Sequence, residues 1–113
     1  MPDCLFCKIA NKELDGDIVY ESDDIVAFRD INPAAPTHIL VIPRRHISSA
    51  RELTSEDGPL LAEMMTTMTS LAEKEGLERG YRIVTNVGSE AGQSVHHIHF
   101  HLLGGRGMSW PPG

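Results

Sequence analysis

Between His97 and Leu103 the chain reads His-Ile-His-Phe-His-Leu-Leu, with imidazole and hydrocarbon alternating. An extended strand sorts such a pattern, because successive side chains leave opposite faces of a pleated backbone. His97, His99 and His101 then share one face, roughly 6.8 Å apart, and Ile98, Phe100 and Leu102 share the other. The apolar face has to be covered, and one long helix is available for it. Leu60, Leu61, Met64, Met65, Met68, Leu71 and Ala72 form an apolar stripe at three- and four-residue spacing within 54–75. Thr54 to Asp57 offers a capping arrangement at its start and Gly76 a stop at its end. The stripe's methionines read as core filler rather than a plastic binding surface.

The remaining elements are shorter. Residues 4–12 have a short helical spacing at Leu5, Phe6, Ile9 and Ala10. Ile18–Tyr20 and Ile25–Phe28 predict a hairpin about the polar turn Glu21–Asp24. Asn32-Pro33-Ala34-Ala35-Pro36 is a stiff loop, His38–Ile42 a buried strand and Tyr81–Thr85 another. Strands interrupted by one long helix predict an α+β domain with a mostly antiparallel sheet. At 113 residues the chain can bury roughly two-thirds of its unfolded surface, so one domain over 1–113, with 107–113 as a tail, is expected.

Ten Lys+Arg against sixteen Asp+Glu give a formal charge of −6, which argues against a surface that coats nucleic acid. No apolar run approaches the roughly 20 residues of a membrane span, and MPDCLFCKIA lacks the features of a secretory leader. A soluble cytoplasmic protein is the expectation. In a reducing compartment Cys4 and Cys7 read as free thiols or half of a zinc site rather than a disulfide.

A row of imidazoles supports two chemistries. One ring can attack an electrophile while a neighbour handles the leaving-group proton, or the row can hold a metal. The polar loop Gly88–Ser94 just upstream favours the first, since its backbone N–H groups and the side chains of Gln93 and Ser94 can meet an anion. Arg106, in Gly104-Gly105-Arg106-Gly107, reads as a surface arginine or an anion contact.

The motif His97-Ile98-His99-Phe100-His101-Leu102-Leu103 resembles that of the histidine triad (HIT) superfamily. The resemblance runs on through FRDINPAAPTHILVIPRRH at 28–46 and AGQSVHHIHFHLLGGRGMSWPPG at 91–113, and is strongest to the Hint branch of nucleotide-binding proteins. It implies a five-stranded mostly antiparallel sheet with one long and one short helix, continued across a homodimer. It implies binding of purine mononucleotides such as AMP and GMP, and hydrolysis of nucleoside phosphoramidates and adenylated amines. By that resemblance His99 is the nucleophile and His101 contacts phosphate and leaving group, with His97 and His38 in support. Asp30 falls at the ribose-binding acid, Asn86, Gln93 and Ser94 at contacts to phosphate, ribose or leaving group, and Phe6, Ile9, Phe28, Ile31 and Leu40 at the base pocket. Trp110 lies in a tail expected to pack against a formed surface, near the partner's active site. His96 stands where many relatives carry a large aromatic residue and is expected to point away from the triad.

This chemistry is physically consistent. A phosphoramidate nitrogen needs a proton to leave, and a neutral imidazole attacks without first losing one. A metal-dependent hydrolase, and a nucleotide-binding regulatory protein with vestigial catalysis, are the alternatives. On zinc the resemblance divides: some bacterial relatives use two cysteines, a histidine after the third strand and the first triad histidine, here Cys4, Cys7, His46 and His97, whereas many Hint proteins lack the cysteines. Such zinc would be structural, with no cofactor required for catalysis.

Overall fold

The computed structural model describes residues 3–113. Its sheet has five strands, β1 (Ile18–Glu21), β2 (Ile25–Arg29), β3 (Thr37–Pro43), β4 (Tyr81–Val84) and β5 (Phe100–Gly104), in the spatial order β1-β2-β3-β5-β4. Every pairing is antiparallel, as the alternation of short strands with one long helix predicts. The hairpin turn is held by Ser22, whose Oγ accepts from the backbone N–H groups of Asp24 and Ile25.

The central strand β3 is buried along its whole length, so it feeds two cores. Ile39 and Val41 point toward helix α2 (Gly58–Lys74) and pack with Met64, Met68, Leu71, Ile98, Phe100 and Leu102. Leu40 and Ile42 point to the opposite face and pack with Phe6, Ile9, Val26 and Phe28 beneath helix α1 (Leu5–Ala10). The last carbonyl of α1, at Ala10, accepts from Arg44 Nη1 at 2.7 Å, while Arg44 Nε donates to Ser22 O and Nη2 to Glu21. A single guanidinium thus ties α1 to the hairpin.

Four expectations are corrected. The long helix starts at Gly58 rather than 54, because the Thr54–Asp57 capping box closes a separate 3-10 turn over Ser55–Asp57. Met65 leaves the stripe: it lies about 100° around the helix from Met64 and is 43% exposed, while Thr67 takes the buried position. The short helix spans 5–10 rather than 4–12, with Lys12 turned to φ +62°. Strand β5 begins at Phe100 rather than His97. Continued pairing would set Ile98 opposite Pro43, which has no N–H; the Pro43 carbonyl instead meets the His97 ring and the Ile98 N–H goes to Ile47 O. The alternation survives in this irregular stretch, since Ile98 still enters the α2 core.

Candidate active site and thiol–imidazole cluster

Five of the six histidines lie on the α1 side of the sheet, and their backbone partners decide which ring nitrogens carry protons. His99 Nδ1 lies 2.8 Å from His97 O. A carbonyl only accepts, so the Nδ1 of His99 is the protonated nitrogen and its Nε2 keeps a lone pair. The Phe6 ring packs edge-on against His99 with centroids 5.0 Å apart, and Thr85 Oγ1 donates to His99 O at 2.8 Å. The ring and the backbone of the proposed nucleophile are therefore both braced.

Ala34 N–H donates to His38 Nδ1 at 3.0 Å, so His38 must carry its proton on Nε2. That Nε2 lies 2.8 Å from His101 Nδ1, which therefore accepts. His101 is left with Nε2–H, a buried donor without a partner among the described residues. Asp30 Oδ2 stands 3.5 Å from His38 Nε2, and Asp30 Oδ1 accepts from Asn32 N at 2.8 Å. Asp30 thus closes the turn before the Pro33–Pro36 loop and also faces the histidine pair. Burial pushes the His101 pKa down to about 4, helped by the neighbouring His99 and His38 and opposed by Asp30. Burial lowers His38 too, against the pull of Asp30. Both rings are neutral at pH 7, as this chain of hydrogen bonds requires.

Asp30, His38 and His101 could be read as a metal triad. Two nitrogens on one zinc would stand about 3.3 Å apart, and the 2.8 Å separation between His38 and His101 is instead that of a hydrogen bond.

The second assembly lies where α1 meets the end of β3. His97 Nδ1 is 3.3 Å from Cys4 Sγ and 3.4 Å from Cys7 Sγ, and His46 Nδ1 is 3.4 Å from Cys7 Sγ. Ligand atoms of all four residues lie within 4.8 Å of one another. Tetrahedral zinc with bonds of about 2.3 Å to sulfur and 2.0 Å to nitrogen sets S···N edges of about 3.5 Å, so these residues fit the ion. The outer contacts suit it as well: His97 Nε2 donates to Pro43 O at 2.8 Å, and Cys7 N–H donates to Cys4 Sγ at 3.3 Å. Burial and Cys4 raise the Cys7 thiol pKa; a divalent cation would reverse that and hold both sulfurs ionised. His97 is fully buried with both ring nitrogens engaged, so its support of His99 comes through its carbonyl and not its imidazole.

The other expected residues fall into three groups. Phe6, Ile9, Phe28 and Leu40 pack together against the histidine face. Gln93 is buried, with its amide donating to Ser48 O and Val95 O and its Oε1 accepting from Gly88 N; it shapes the 88–94 loop and has no free donor for an anion. Asn86 directly follows Thr85, and Ser94 is exposed on the loop. Ile31 is 92% exposed and Trp110 81% exposed, apart from the histidines' core. Arg82 grips the tail at Ser109 O, and within one chain the Trp110 indole is uncovered. His96 is exposed. A cleft of about 460 Å³ lies elsewhere, between the end of α2, the start of β4 and residues 105–108. Sequence reasoning missed Thr85, and it missed the backbone groups at Ala34, Pro43 and His97, which carry no side-chain signal.

A family model described as scavenger mRNA decapping enzyme C-term binding matches residues 3–109. A HIT-like protein of Synechococcus elongatus is 50% identical over 98% of this chain and 97% of its own length. A 14 kDa zinc-binding protein of Zea mays is 48% identical, covering 96% of this chain and 87% of that protein. Among solved structures, a HIT family hydrolase from Legionella pneumophila Philadelphia 1 superposes with a TM-score of 0.97 at 54% identity, covering 98% of this chain and all of that one.

Proposed function

The chain belongs to the histidine triad superfamily, and from that premise we propose that it hydrolyses the P–N bond of purine nucleoside phosphoramidates through a nucleotidyl intermediate on His99. The observation that carries the reading is the pair of opposite tautomers: a lone pair on His99 Nε2 and a partnerless proton on His101 Nε2, on rings whose centroids lie 5.1 Å apart. Buried polar atoms without partners are rare, and a phosphate oxygen or the departing nitrogen of a substrate would satisfy this one.

His99 Nε2 attacks the α-phosphorus, the P–N bond breaks, and the nitrogen leaves as an amine after taking a proton. The departing nitrogen takes its proton from a water beside the substrate while the His101 Nε2–H hydrogen-bonds it, so His38 and His101 keep the neutral tautomers that their 2.8 Å hydrogen bond requires. A second water then attacks the phosphorus, the hydroxide left by the first takes its proton, and the mononucleotide is released with His99 restored. In this reading Asp30 also takes the ribose hydroxyls, Asn86 and Ser94 lie near the phosphate, and Phe6, Ile9, Phe28, Ile31 and Leu40 line the base site.

The reading includes structural zinc on Cys4, Cys7, His46 and His97, supported by the S···N spacing and by the similarity to a zinc-binding protein. Bound there, the ion would pin α1 to the sheet. It also includes a homodimer in the cytoplasm whose tails and edge strands meet, which would cover Trp110 and the exposed Tyr81 of edge strand β4. Among the described residues no helix is long and apolar enough to cross a membrane. The deciding assay follows release of amine and AMP from adenosine 5′-phosphoramidate. Wild-type protein should turn over and form an acid-labile nucleotidyl adduct, and His99→Ala should bind AMP without releasing amine. AMP binding with no turnover by the wild type would defeat the hydrolase reading.

A further inference from the structure

We propose that Arg106 is a positioning residue for the His38–His101 pair, acting through the backbone of Ala34. Arg106 Nε donates to Ala34 O at 3.1 Å, and its Nη1 donates to Gly107 O at 2.9 Å. The N–H of the same residue, Ala34, holds His38 Nδ1. A continuous path of donors therefore runs from the Arg106 guanidinium to Ala34, then to His38, His101 and the partnerless Nε2–H. The neighbouring chain reinforces it. Gly105 stands at φ +91°, where a Cβ would come within 2.9 Å of Pro36 Cβ, so the backbone at 105 lies directly on the loop that Arg106 grips.

The loop 32–36 has few other ties. Asn32 N–H is held by Asp30 and Ala35 is buried, but Ala34 itself is exposed. Its orientation rests on the Arg106 and His38 contacts. The two neutral tautomers of an imidazole lie close in energy, and the Ala34 N–H selects one of them. If Ala34 turns away, His38 can place its proton on Nδ1. His38 Nε2 then accepts, His101 must donate from Nδ1, and its Nε2 changes from donor to acceptor. An exposed arginine 72 residues away in sequence from Ala34 thereby sets the sign of the hydrogen bond offered at the reactive end of the chain.

The inference rests on the proposed function only for its kinetic arm. Long-range proton–nitrogen correlation spectra of ligand-free protein report the tautomer of each ring directly. Wild type should show His38 and His101 with Nε2 protonated. Arg106→Ala should show both rings with mixed tautomers, at an unchanged melting temperature and with Arg106→Lys restoring the wild-type pattern. In phosphoramidate turnover, kcat should fall about tenfold, the fold-change one neutral hydrogen bond carries, with KM within about twofold. If Arg106→Ala does not fold, Arg106→Met keeps the aliphatic stem without the donors and takes its place. Unchanged tautomers in the variant overturn the proposal, even if the rate falls. A wild type without turnover overturns the hydrolase reading and leaves the spectra to decide the role of Arg106.

Discussion

Acid should weaken this fold through His101, by an amount the structure allows to be worked out. Folded His101 titrates near 4 and the unfolded residue near 6.5, chiefly because burial disfavours its charged form. Below pH 6.5 the unfolded chain therefore binds a proton that the native ring refuses. His101 costs no stability above that range, costs progressively more as pH falls, and has exerted its whole penalty below about 4. The full gap corresponds to about 3.4 kcal/mol, and the part falling between pH 7 and pH 5 to about 1.8 kcal/mol. The ring is only half-buried, so solvent screening reduces that part to about 1 kcal/mol. Urea unfolding at pH 7 and pH 5 measures it, on wild type and on His101→Asn, whose amide can still accept from His38. Titration of groups distant from residue 101 is common to both proteins and largely cancels in the difference, while His38 keeps its hydrogen-bond acceptor in the Asn side chain. Wild type should lose about 1 kcal/mol more than the variant between the two pH values. Equal losses, or a larger loss in His101→Asn, would refute the neutral, partnerless assignment of this ring.

Protein purified without added metal should contain about one zinc per chain, absent in Cys7→Ser, and chelation should lower the melting temperature by about 10 °C or more while leaving phosphoramidate chemistry chemically metal-independent; metal-free protein with two freely titratable thiols would remove the site. Asp30→Ala should weaken binding of ribonucleotides more than of 2′-deoxynucleotides in calorimetric titration, because one hydroxyl contact is already missing in the latter, and an equal loss would leave Asp30 only its turn and its His38 contact. Deleting residues 108–113 removes the uncovered Trp110 and the Arg82–Ser109 tie. The truncated protein should keep its melting temperature yet change its relative rates among leaving groups, and unchanged selectivity would count against a role for the tail in the site.

What could be read in the sequence was whatever side-chain pattern controls. The alternation from Ile98 to Leu102 predicts the α2 core, and the structure puts those residues there. Cys4 and Cys7 at two-residue spacing, with His46 and His97, come together although they are spread over 94 positions of the chain. The misreadings arise where the backbone decides. His97 and His99 look like strand residues, yet Pro43 cannot extend the ladder and spends its carbonyl on an imidazole. Gln93 looks like an available donor but is consumed by the carbonyls of Ser48 and Val95. The tautomers of His38, His99 and His101 depend on Ala34 N and His97 O, atoms that every residue possesses and no sequence pattern marks.

The division of labour at His97 has an evolutionary consequence. Its ring meets the thiol cluster and its carbonyl fixes the tautomer of His99. Any amino acid supplies a carbonyl, so the hold of this position on the His99 ring is indifferent to what side chain occupies it. The metal-type cluster can then drift, shrink or disappear in a lineage by changes at 4, 7, 46 and 97 while the His99 tautomer is inherited unaltered. The hold on the N-terminal helix and the tautomer of His99 can thus be selected separately, although they meet in a single residue.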